Sequence, residues 1–275
     1  MNPLKIGNRL LHWGERTYIM GILNVTPDSF SDGGRFVDIC AAVAHAKKMA
    51  AEGADIIDVG GESTRPGAAP VPEEEEKKRV IPVIERLKDE IEVPISIDTY
   101  RYGTAEAAIK SGAAMINDVW GLKADAGMAK VAAFYGVPVC IMHNKAEACY
   151  VNLIEDMTDE LEQSLEIAEK AEIARKNIII DPGIGFGKTL GHNLEVMRRL
   201  EHFKTMGYPL LLGTSRKSMI GKVLDLPVEE RLEGTLATTV IGIIKGVDII
   251  RVHDVLQNRR AALMADRVVR GKWIK

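Results

Sequence analysis

Residues 22–34 read ILNVTPDSFSDGG, and the stretch changes character at Asn24. Residues 18–23 form a nearly continuous apolar run, as expected of a strand covered on both faces. The chain then passes through Asn24, Thr26, Asp28, Ser29, Ser31 and Asp32, while Pro27 and the Gly33-Gly34 pair stop the strand. Oxygen-bearing side chains are therefore expected to gather at its carboxyl end. Taken alone, the stretch fits an ordinary Asx- and Ser-rich turn as well as it fits a site.

The same alternation of apolar strand and helical spacing recurs along the chain. Strands are predicted over 18–25, 56–61, 94–99, 115–120, 138–143, 177–181, 209–214 and 249–253. Helices are predicted over 37–52, 73–90, 102–111, 125–135, 153–175, 190–206, 229–245 and 254–270. Gly53, Gly112, Gly136, Gly207 and Gly246 each fall at a helix end just before a strand, where a left-handed residue stops the helix. Eight such units without a Pro/Ser-rich linker give an α/β fold. The expected architecture is a closed (β/α)8 (TIM) barrel in one domain spanning 1–275. A doubly wound open sheet is rejected, because nothing like GxGxxG follows the first strand. Ahead of the repeat, a Gly7-Asn8 turn between two short apolar segments predicts a short N-terminal β-hairpin covering an end of the core. Pro82 is expected to kink the second helix, and the acids 73–76 followed by bases read as a solvated helix face.

Composition narrows the function classes. With 46% hydrophobic and 27% charged residues over 275 positions, the chain can bury a substantial core. A net charge of -3 gives no global reason to expect nucleic acid or an anionic membrane as partner. Cys40, Cys140 and Cys149 lack metal-ligand spacing and read as buried thiols in a reducing cytoplasm. No apolar run approaches membrane-spanning length.

In a barrel the carboxyl ends of all strands converge on one face. Asp98, Asn117 and Asp181 bring carboxylates and an amide there, suited to a heterocycle that presents amidine-like N–H donors beside a carbonyl. A metal site is the competing reading, and the missing His or Cys ligands weigh against it. Arg65, Lys217, Arg251 and His253 form a cationic set on the same rim, and with Asn24 they suit a pyrophosphate and its magnesium. Ser218 begins a short helical stretch whose amides would attract a substrate carboxylate.

With those residues in view, the sequence resembles the dihydropteroate synthases of the folate pathway. The resemblance is carried in order by GILNVTPDSFSDGG from Gly21, DVGGESTRPGA from Asp58, SIDT from Ser96, INDVWG from Ile116, MHN from Met142, DPGIGFGK from Asp181, GTSRKS from Gly213 and RVHDV from Arg251. It implies condensation of 6-hydroxymethyl-7,8-dihydropterin diphosphate with 4-aminobenzoate to 7,8-dihydropteroate and pyrophosphate, with sulfonamides competing for the aminobenzoate site. By that resemblance Asp98, Asn117, Asp181 and Lys217 hold the pterin, and Asn24, Arg65, Arg251 and His253 the diphosphate. Magnesium, the implied cofactor, falls to Asn24. Thr64, Pro66, Phe186, Lys217 and Ser218 surround the aminobenzoate, and Asp32, Arg65 and Lys217 carry the chemistry. Aminobenzoate is expected to bind second, after Asp32 and Arg65 have closed over the first substrate. A homodimer through the last two helices is also implied, by way of Leu236, Val240, Ile243, Leu263 and Val268. Folate-dependent methyltransferases and non-catalytic pterin binders are the alternatives: the intact TRPG and SRKS segments disfavour the first, and the second would hold the pterin but release no pyrophosphate. The segment 145–152 is the least family-like.

Overall fold

The computed structural model describes residues 2–26, 35–62 and 70–271. Its centre is an eight-stranded parallel sheet: β3 (Tyr18–Asn24), β4 (Ile56–Gly60), β5 (Ile95–Asp98), β6 (Met115–Asp118), β7 (Val139–Met142), β8 (Ile178–Asp181), β9 (Leu211–Leu212) and β10 (Ile249–Val252). Each strand pairs with its sequence neighbour, and β10 pairs with both β3 and β9. A bridge between Ile180 and Leu210 joins β8 to β9 and closes the barrel. All five predicted glycine stops have positive φ, from 63° at Gly136 to 126° at Gly112. The helix is thus ended each time by a residue that pays no Cβ penalty in that conformation.

Both faces of the strands are buried, which is why they read as continuous apolar runs. Outward-pointing Ile19, Leu23, Ile57, Val59, Ile95 and Ile97 pack under the helical shell in one apolar cluster. That shell includes α1 (Arg35–Glu52), α2 (Glu73–Glu90) and α3 (Tyr102–Ser111). Inward-pointing Met20, Ile56, Met115, Cys140, Ile179, Leu211 and Ile249 form a second cluster that fills the amino-terminal end of the barrel. The hairpin of β1 (Leu4–Ile6) and β2 (Arg9–Leu11) turns at Gly7 and plugs that end with Leu4, Ile6 and Leu11.

Helix boundaries differ from the sequence reading where loops intervene. Helix α2 runs unbroken through Pro82. The stretch 125–135 is helical only as α4 (Met128–Tyr135). The stretch 153–175 ends as α5 (Leu153–Lys170), where Glu172 takes φ 63° and Ile173 turns into the core. The stretch 190–206 divides at Arg199 into α6 (Leu190–Arg198) and α7 (Leu200–Lys204), and Leu200 and Phe203 of α7 are fully buried. After α8 (Ser218–Leu224) a tight turn at Val228–Glu230 precedes α9 (Leu232–Ile244), so that helix starts three residues later than predicted. Helix α10 (Val255–Arg270) closes the ring. Cys140 is buried as expected, whereas Cys40 and Cys149 are exposed because neither lies on a core-facing position.

Candidate active site

Side chains alternate along a strand with period two, so the residues two steps beyond the apolar inner layer also point into the barrel. There the composition changes: Ile56 is followed by Asp58, Met115 by Asn117, Ile179 by Asp181 and Ile249 by Arg251. Ser96 and Asp98 project inward from β5 in the same way, between outward-facing Ile95 and Ile97. The barrel thus has an apolar lower half and a polar floor under its carboxyl-terminal mouth.

Arg251 organises that floor. Its Nε donates to Asp58 Oδ2 at 2.6 Å and its Nη2 to Asp98 Oδ2 at 2.6 Å, while Asn117 Nδ2 donates to the same Asp58 oxygen at 3.0 Å. Burial opposes the guanidinium charge, but Asp58 and Asp98 outweigh it and hold its pKa above the usual value. Burial pushes Asp98 up to about 7, with Arg251 pulling it back and Asp58 adding to the rise. The second oxygens of both carboxylates and the Ser96 hydroxyl are buried without a partner. Unmade hydrogen bonds of this kind cost roughly 1–3 kcal/mol each, so the floor is built as a set of waiting acceptors. Asp181 Oδ1 accepts from the Gly183 amide at 2.7 Å, and burial raises this carboxylate against the pull of Lys217.

A cavity of about 300 Å3 meets the floor at Arg251, which lines it, whereas Asp98, Asn117 and Asp181 are not among its lining residues. Asn24, Phe186, Lys217, Ser218, Arg251 and His253, all expected from the sequence, line it together with Ser215 and Arg231. Lys217 is the N-cap of α8, so Ser218 opens that helix in the cavity wall. The Lys217 ammonium sits 4.5 Å from the centre of the Phe186 ring and donates to the Ile184 carbonyl. Burial lowers its pKa to about 8, resisted by Asp181. His253 Nδ1 lies 3.0 Å from Ser215 Oγ, which also accepts from the His253 amide. Arg216, also in the cavity wall, is paired with both oxygens of Asp254, at 2.9 and 2.5 Å.

Asp32, Thr64, Arg65 and Pro66 lie outside the described residues. Asp118, next to Asn117, serves the loop instead of the floor: it accepts from the amides of Trp120 and Leu122 at 2.9 and 2.7 Å. The segment 145–152 also acquires a place, because Tyr150 Oη donates to the Gly187 carbonyl at 2.8 Å. Three contributors escaped the sequence reading. Asp58 and Ser96 lie one strand period below the strand ends, and strict alternation from Ile56 would have found Asp58. Arg231 is far from any strand end, and its guanidinium reaches the wall by donating to the carbonyls of Leu226 and Arg216. Among the described residues no group of three His, Cys, Asp or Glu is placed to hold a metal ion.

The model of the pterin binding enzyme family matches residues 20–253. A dihydropteroate synthase of Clostridium beijerinckii is 61% identical over 97% of this chain and 100% of its own length. The crystal structure of a Clostridium difficile dihydropteroate synthase in the presence of pteroic acid superposes with a TM-score of 0.93 at 56% identity, covering 94% of this chain and 99% of that one. A Xanthomonas albilineans dihydropteroate synthase with 4-aminobenzoic acid gives 0.92 at 41% identity, with 97% of each chain covered.

Proposed function

The chain belongs to the family of pterin binding enzymes, and from that premise we propose that it works as a dihydropteroate synthase, joining 6-hydroxymethyl-7,8-dihydropterin diphosphate to 4-aminobenzoate with release of pyrophosphate. One observation carries the reading: the carboxylates of Asp58 and Asp98, each with a buried oxygen that lacks a partner, are joined through Arg251 to a cavity whose wall is cationic. A pterin edge rich in N–H donors meets the acceptors of Asp98, Asn117 and Asp181, and its carbonyl meets Lys217. The diphosphate is then directed to Asn24, Arg251, His253 and Arg65.

Loss of pyrophosphate from the methylene carbon is favoured by cations on the leaving group, and the electron-rich ring delocalises the charge that develops. The arylamine needs only to be held at that carbon, so no nucleophilic Ser or Cys is required. Phe186 and Ser218 of the cavity wall, with Thr64 and Pro66, are its proposed surround. Magnesium suits this site because it binds through one or two protein oxygens plus substrate phosphates, and Asn24 in the cavity wall supplies such an oxygen. Bound there, it would neutralise charge on the departing pyrophosphate.

Among the described residues no helix is long and apolar enough to cross a membrane, and a cytoplasmic location goes with the reading. The proposed homodimer uses α9 and α10, where Ile244, Met264 and Val268 are 60%, 66% and 73% exposed. Of the positions expected to form it, Leu263 and Val268 are exposed, whereas Ile243 is buried and Val240 packs on the core. Purified protein given both substrates and magnesium should release pyrophosphate in step with dihydropteroate. Release that needs no aminobenzoate, or pterin binding without release, would sink the proposal.

A further inference from the structure

The turn of residues 183–186 stands between two lysines. On the cavity side Lys217 donates to the Ile184 carbonyl and stacks over the Phe186 ring. On the opposite side Lys188 Nζ donates to the carbonyls of Gly183 and Phe186, both at 3.0 Å, and lies 2.8 Å from His143 Nδ1. An ammonium has three hydrogens and no acceptor, so these three partners match its capacity, while burial lowers the Lys188 pKa to about 7 against the pull of Asp181. His143 is held neutral, lowered to about 2 by burial and by the neighbouring Lys188 and Lys123, which leaves Nδ1 free to accept. The hydrogen then sits on Nε2, which is 3.2 Å from Glu160 Oε2 but too far out of line for a hydrogen bond. Glu160 is itself fixed by Lys145 at 2.8 Å.

The turn lies directly on this support. Gly183 has φ +68°, and a Cβ there would stand 2.0 Å from the His143 carbonyl oxygen, so no other residue fits the approach. The Gly185 amide is separately held by Asn193 Oδ1 at 2.6 Å. Lys188 therefore grips the Gly183 and Phe186 carbonyls that bracket Ile184, whose own carbonyl accepts from Lys217 instead.

We propose that Lys188 is a positioning residue: by fixing the Gly183 and Phe186 carbonyls it sets the direction of the Ile184 carbonyl and the Phe186 ring, and through them the place of the Lys217 ammonium in the cavity. Lys188 itself does not line the cavity. Its effect passes through Lys217.

The test rests on the synthase reading and uses a double-mutant cycle on the full chain, with pyrophosphate release as the readout. Lys188→Met in the wild-type background is expected to lower kcat/KM for aminobenzoate about tenfold or more, and in a Lys217→Ala background by less than about threefold, because the route is already cut. An equal factor in both backgrounds, or an unchanged kcat/KM in the single variant, would overturn the assignment. Lys188→Gln, which keeps an amide donor in place, should recover part of the loss and serves if the methionine variant does not fold. Failure of both variants to fold would give Lys188 a purely structural role and overturn the proposal as well. A readout independent of turnover separates this inference from the functional reading. Acetylation of Lys217 by acetic anhydride, followed by mass spectrometry, should proceed faster in Lys188→Gln than in the wild type, and an unchanged rate would count against positioning. Wild-type protein that releases no pyrophosphate would sink the synthase reading alone, and the acetylation rates would still decide the role of Lys188.

Discussion

Lys217 meets conflicting demands, since the cavity wall that makes its charge useful also strips it of water. Burial brings its pKa down to about 8 despite the pull of Asp181, so the group is cationic below that pH and neutral above it. If the charge is what the reaction uses, kcat/KM should decline as pH rises through about 8. Lys217→Arg, whose guanidinium stays protonated, should remove that alkaline limb even if its rate is lower. A pH profile with the same limb in both proteins would assign the titration elsewhere. Asp58 shows a different economy: it is 0% exposed and anchors both Arg251 and Asn117. Removing one partner of a buried ion pair costs about 3–5 kcal/mol, so Asp58→Ala should lose stability on that scale in urea unfolding and should also abolish pterin binding. The residues that close the cavity were readable because they stand at strand ends in polar clusters. Asp58 was missed because within the DVGG segment it looks like part of a buried strand, and only its inward parity reveals it. Arg231 gives no local signal, since its position depends on how the turn before α9 packs.

At the scale of elements, the period-two and helical patterns located all eight strands, because a strand buried on both faces and a helix buried on one write different spacings into the chain. Helix ends were less legible wherever the stop is made by packing and not by glycine. The break at Arg199 and the early end of α5 accompany burial of Leu200, Phe203 and Ile173, which spacing alone does not announce. The hairpin is the converse case, since a Gly-Asn turn between apolar triplets was sufficient to find it. It lies at the amino-terminal end of the barrel, away from the cavity, so its role should be separable from catalysis. Leu4 is 0% exposed within the inner apolar cluster, and Leu4→Ala should cost about 2–5 kcal/mol in denaturant unfolding. Turnover by the folded fraction should stay at the wild-type level. A large fall in kcat without loss of stability would show that the plug and the mouth are coupled.

For the whole molecule, the distribution of apolar side chains decides how the barrel presents itself. A helical shell around a closed sheet should bury its apolar stripe and leave polar groups outside, yet α9 and α10 keep Ile241, Ile244, Leu263, Met264, Val268 and Val269 between 42% and 73% exposed. The two helices pack against each other, so these residues belong to neighbouring elements. Exposed apolar side chains on adjacent elements support the proposed association surface, which as a self-complementary patch would close into a two-fold dimer. Sequence spacing alone does not separate exposed from core-facing apolar positions, and of the residues named for the proposed dimer Ile243 is buried while Val268 is 73% exposed. Sedimentation at micromolar concentration should give twice the 30.2 kDa chain mass. Placing Glu at both Met264 and Val268 puts like charges on the patch of each copy, and since both positions are mostly exposed the fold should tolerate them. That variant is expected to sediment as a monomer with its melting temperature little changed at low concentration. A wild-type monomer, or a variant that remains dimeric, would move the interface away from α9 and α10.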